Sequence, residues 1–205
     1  MLTGINTPAS LLEHNDWLYI TEWEWMNGKI LRIDLNDSSP IIDTVITNLD
    51  TPLGPVFYKN YLFVSQLNKG VISKIDMNQS PPLITEFLSG INGARDLLVY
   101  SDFLYYTVEE DDAIMRVNLE DTNPTSEIVV DSIDRPWSLV LDGSNLIISV
   151  ANEKRIVSIN LLNTTFEINT IISDIDGPSS LFVRDKELSY IEEIPDRICK
   201  ADLNL

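Results

Sequence analysis

The phrase KILRIDLN at residues 29–36 returns as VISKIDMN at 71–78, AIMRVNLE at 113–120, RIVSINLL at 155–162 and RICKADLN at 197–204. The spacing is 42 residues each time. Five Ile share one column (Ile30, Ile72, Ile114, Ile156, Ile198), and three residues on stand Ile33, Ile75, Val117, Ile159 and Ala201. An Asp or Asn follows (Asp34, Asp76, Asn118, Asn160, Asp202), then Leu35, Met77, Leu119, Leu161 and Leu203. A period in the forties built from short strands is the signature of propeller blades, four strands to a blade.

The other strands keep step. An inner strand reads SLLE, GPVF, DLLV, SLVL and SLFV, short and apolar, as a strand covered on both faces requires. A second reads WLYIT, YLFVS, FLYYT, NLIIS and ELSYI, rich in aromatic and β-branched residues. The recurring phrase is the third. The fourth reads VITNL, FLSGI, VVDSI and IISDI, after polar loops such as NDSSP and EDTNPTS. No segment carries sustained helical periodicity. The fold class expected is therefore all-β: one domain over residues 1–205, a five-bladed β-propeller of 42-residue, four-stranded repeats. The fifth repeat stops after its third strand, while the start MLTGINTP matches VITNLDTP, VVDSIDRP and IISDIDGP. Met1–Ile5 is expected to close the last blade and hide the edge that a missing strand exposes. A monomer follows if the ring closes on itself.

Composition sets limits on partners. With 14 basic and 32 acidic residues the net charge is −18, which repels phosphate backbones and anionic lipid, so nucleic acid is not an expected partner. No apolar run approaches the roughly 18 residues of a membrane helix. The start has no basic n-region or apolar h-region, so no signal peptide is read in this chain. One Cys excludes an intrachain disulfide; Cys199 falls in the column of Leu31, Ser73, Met115 and Val157 and reads as a small core residue.

The pattern P-x-S-L-x(6)-L-x-[IVY]-[ST] followed by I-x-[KR]-[IV]-[DN]-[LM] resembles the repeats of the NHL, YWTD and gluconolactonase-like propeller superfamily, over the whole chain. Those families commonly carry six or more blades, and a count of five departs from them. The resemblance implies binding at the mouth formed by the loops around the central channel, and it implies export.

Candidate site residues follow from that placement. The loops between second and third strands carry Trp23, Glu24 and Trp25, then Asn68, then Glu109 and Glu110, then Asn152, then Glu192. The loops entering the inner strands add Arg95, Asp96 and Trp137. Trp beside carboxylates suits sugar rings or ammonium groups, so a protein, carbohydrate or cationic ligand is expected. The two extra residues of the first repeat fall in the loop with Trp23 and Trp25. The alternative is a metal-dependent hydrolase of the lactonase type, whose relatives hold a divalent cation in the channel. Here the channel column reads Ser10, Gly54, Asp96, Ser138, Ser180, so Asp96 with Asn68 and Asn152 is an incomplete ligand set, with Ca2+ the cation such oxygens suit. No cofactor is otherwise expected and no catalytic residue is assigned. The lyase type of this fold needs a channel His, whereas His14 falls in a turn at the opposite end.

Overall fold

The computed structural model describes residues 3–203. The chain is a five-bladed β-propeller with no helix among those residues, and thus no helix long and apolar enough to cross a membrane. The first blade is β1 (Pro8–His14), β2 (Trp17–Glu22), β3 (Gly28–Asp34) and β4 (Asp43–Leu49). The second is β5 (Pro52–Tyr58), β6 (Tyr61–Gln66), β7 (Val71–Asp76) and β8 (Leu83–Ser89); the third is β9 (Ala94–Tyr100), β10 (Phe103–Val108), β11 (Ala113–Asn118) and β12 (Glu127–Val130). The fourth is β13 (Pro136–Asp142), β14 (Asn145–Val150), β15 (Arg155–Asn160) and β16 (Asn169–Ile172). The fifth comprises β17 (Pro178–Arg184), β18 (Glu187–Glu192) and β19 (Arg197–Asp202). Strands pair in sequence order, antiparallel throughout.

The recurring phrase now has a physical reading, position by position. Ile30, Ile72, Ile114 and Ile156 point toward the following blade, where they meet the Leu and aromatic or aliphatic residues of its second strand: Leu62 and Val64, Leu104 and Tyr106, Leu146 and Ile148, Leu188 and Tyr190. Each core therefore lies between two blades. Three residues on, the side chain points toward the preceding blade, as the two-residue pleat requires. The Asp or Asn column ends the third strand: Asp34, Asp76, Asn118 and Asn160 each accept a hydrogen bond at 2.9 Å from the backbone N–H two residues on. This is the side-chain-to-backbone turn for which these residues are suited. The next residue's N–H donates to the turn between the first two strands in all five repeats, from Leu35 to Asp16 O through Leu203 to Lys186 O.

Two refinements concern boundaries. The inner strands begin earlier than the apolar phrases suggested, at a Pro or Ala, and all five shift register near their start, as between Pro136 and Leu139. The fourth strands of blades three and four stop at Val130 and Ile172, and in every repeat the link to the next inner strand bends through left-handed backbone. Gly4, Asn48, Gly90, Ser132 and Asp174 share one positive-φ column, and Thr7, Thr51, Gly93, Arg135 and Gly177 a second. Gly54 stands where other blades have Ser or Asp. A Cβ there would lie 2.8 Å from Leu97 N and 2.9 Å from Asp96 Cα.

The expected closing strand, Met1–Ile5, falls partly outside the described residues. Met1 and Leu2 lie outside the described residues; residues 3–7 form no strand, and the fifth sheet has three strands among the described residues. Ile5 packs with Ile20, Leu31 and Ile33 on the first blade, the place that Leu49 takes on the second. Among the described residues the seam between blades five and one is more open than the other four. Ile198 is 75% exposed where its four counterparts are fully buried, and Leu11, Leu35 and Phe182 are exposed on the two flanks. Packing between inner strands runs from β1 to β5, β9, β13 and β17, and β1 and β17 make no comparable contact.

Candidate functional site

The inner strands surround a cavity of about 910 Å3. Its wall is mostly Leu, Val and Pro, and Trp23, Arg95, Asp96 and Trp137 lie at it. Hydrogen bonds from one inner strand to the next brace this wall. Ser10 Oγ accepts from Gly54 N (3.2 Å), and Ser138 Oγ accepts from Leu181 N (3.4 Å). Asp96 does the same work between blades three and four: its carboxylate accepts from Leu97 N (3.0 Å), the Ser138 hydroxyl (3.0 Å) and Leu139 N (2.8 Å). Burial pushes its carboxyl above the ordinary aspartate range, opposed by those donors.

Trp23, Glu24 and Trp25 share the β2–β3 loop. The loop is held by its backbone: Trp23 N donates to Thr7 O (2.9 Å), the Thr7 hydroxyl to Trp23 O (2.8 Å) and Thr51 N to Glu24 O (3.1 Å). Glu24 accepts from Asn27 Nδ2 (3.2 Å). With main chain so fixed, the side chains face solvent: Trp23 is 50%, Trp25 74% and Met26 70% exposed. Met26 carries no weight in the sequence pattern, and Ile194 in the β18–β19 loop is likewise exposed. Only exposure reveals that these apolar residues rim the mouth.

The acidic residues divide into two groups. Glu109, Glu192 and Glu22 are buried and committed to structure. Glu22, Gln66 and Glu192 each accept from a backbone N–H in the link to their own inner strand, Asn6, Asp50 and Asp176 respectively, at 2.6–3.1 Å. Glu192 also takes Arg197 (2.7 Å), and the Asp176 amide and Arg197 hold its carboxyl low. Glu109 lies between two guanidiniums, Arg95 Nε at 2.7 Å and Arg135 Nε at 2.8 Å. Burial pushes its carboxyl up, and the two Arg together outweigh that and hold it below the ordinary range. Arg95 in turn lies 3.5 Å above the Trp137 ring. Arg135 stands 26 positions from its partner, so no local spacing marks the pair. Glu110 remains on the surface, one of the second group.

Asn68 donates to Thr51 Oγ1 (2.7 Å) and Asn152 to Asp134 (2.9 Å), so both tie a β-loop to the adjoining link. Among the described residues no three His, Cys, Asp or Glu side chains stand together as a metal site. Asp96 offers the channel one carboxylate, already occupied by three donors. Cys199 packs on the core between blades four and five, and His14 stacks on Phe57 (3.9 Å), away from the channel.

No family model matches the chain, and no curated protein matches it significantly. A solved structure does: a chain in the crystal structure of a nidogen/laminin complex is similar at a TM-score of 0.82 and 18% identity, over 97% of this chain and 77% of that one. At that identity the likeness is one of fold, and the repeat's resemblance to NHL- and YWTD-like propellers holds at that level.

Proposed function

We propose that the protein is a non-enzymatic binding module that takes a protein or glycan ligand at the mouth, with the β2–β3 loop as anchor. One observation carries this reading: Trp23, Trp25 and Met26 stand exposed on a loop whose main chain is hydrogen-bonded on both sides. Large apolar side chains cost solubility when grouped on a surface, and rigid aromatic anchors lose little entropy on binding. The similar fold belongs to a chain found in a protein–protein assembly, the nidogen/laminin complex, which supports the protein alternative. Arrays of glycans and of purified proteins, probed with the chain and with a Trp23→Ala/Trp25→Ala variant, test it. Ligands bound by the first and lost by the second are expected. An array equally bright for both would remove the loop from the function.

Asp96, Asn68 and Asn152 belong to the scaffold in this reading, since each spends its polar atoms on neighbouring strands and links. A thermal melt in EDTA and then in millimolar CaCl2 should superimpose. A native-state ligand at a hundredfold excess over Kd would add about 2.7 kcal/mol, a shift of several degrees, and would return the hydrolase reading.

A further inference from the structure

The cavity wall carries two charges, Arg95 and Asp96. Asp96 is fully engaged by Leu97 N, Ser138 and Leu139 N. Arg95 is not. Its Nε holds Glu109 and its guanidinium plane lies on Trp137, while Nη1 and Nη2 meet no protein acceptor among the described residues. Two charge-assisted donors thus stand unused at the wall, fixed in plane by the indole and in direction by a buried carboxylate. The apolar side chains that the same cavity exposes are Leu11, Phe182 and Trp23, while Leu97, Leu139 and Leu181 turn into the cores between blades. A volume of about 910 Å3 lies within the range of small-molecule sites, which pair an apolar body with a few placed polar groups.

We infer that the central channel binds an amphiphilic carboxylate, its anionic head bidentate on Arg95 Nη1 and Nη2 and its hydrocarbon body against the exposed apolar side chains of the cavity. The planar fork matches a carboxylate, whereas a hydroxyl engages it singly. Local geometry here opposes the sign of the molecule as a whole. The net charge of −18 selects for cations at long range, but at 0.15 M ionic strength the Debye length of about 8 Å mutes distant carboxylates and leaves contact pairs intact. This goes beyond the rim reading: Trp23 lies at both, but Trp25 and Met26 are not part of the cavity wall and Arg95 is not part of the rim loop.

Calorimetric titration at 0.15 M NaCl with decanoate, decanol and decyltrimethylammonium, each below its micellar concentration, tests it with no macromolecular partner present. Failure here therefore leaves the rim reading standing, and a blank array leaves this one. Decanoate should bind about ten- to a hundredfold more tightly than decanol, the range of a charged hydrogen-bonded contact. Arg95→Met should abolish that preference. Arg95→Lys, which keeps a positive partner for Glu109 but lacks the fork, should reduce it, and decides the matter if Arg95→Met fails to fold. Equal binding of decanoate and decanol, tighter binding of the ammonium, or no binding of any of the three would overturn the inference.

Discussion

Gly54 shows how a single residue departs from its repeat for a reason that lies outside it. Four of five blades carry Ser or Asp at this point of the inner strand, and a consensus argument would install Ser. The backbone of Arg95–Leu97 stands too close, and φ is +52°. Gly54→Ser should lower stability by about 1–3 kcal/mol, read by chemical denaturation, the cost of a side chain at a left-handed, crowded position. Glu109 is the residue whose charge matters most at the mouth. Its carboxyl is a stronger acid folded than unfolded, so its contribution is complete above the unfolded value of about 4.5 and is lost as pH falls through the lower folded value. Between pH 6 and 3 the melting temperature of Glu109→Gln should therefore fall less than that of the parent chain. Parallel curves would show that the two Arg contribute no net stabilisation.

At the scale of elements, each third strand is bonded within its own blade but buried by the next one. This makes the Ile column a graded probe of the ring. Ile156→Ala, beneath blade five, should cost about 2–5 kcal/mol as a core truncation. Ile198→Ala, at the open seam, should stay within about 0.5 kcal/mol. A large loss at Ile198 in urea denaturation would show that the seam closes in solution. Blade five also differs in its second strand. The outward pair that elsewhere reads aromatic or Ile then Ser or Thr becomes Ser189 and Ile191, so Ser stands where Tyr19, Phe63, Tyr105 and Ile147 fill the interfaces. Blade five thus carries a thinner apolar face than the other four.

For the whole molecule, the charge balance and the local charges do different things. Of the acids at the mouth, the buried ones hold links and guanidiniums in place, and the cavity wall presents a free guanidinium. Composition described the surface correctly and the channel poorly, because net charge sums over groups that are already paired. The amino-acid sequence by itself determined the blade, its 42-residue period, the Asp or Asn column that closes the recurring phrase and the inward faces of the strands. These depend on contacts within a hairpin or between consecutive repeats, and their spacing is written directly in the chain. Only the tertiary structure decided which carboxylates are spent, that Arg95 rests on Trp137 with its outer nitrogens unused, that Trp23, Trp25 and Met26 are exposed, and that Ile198 is left exposed among the described residues. Those outcomes turn on partners tens of residues apart and on how the blades' angles sum around the channel, and a repeating sequence carries no local mark of either.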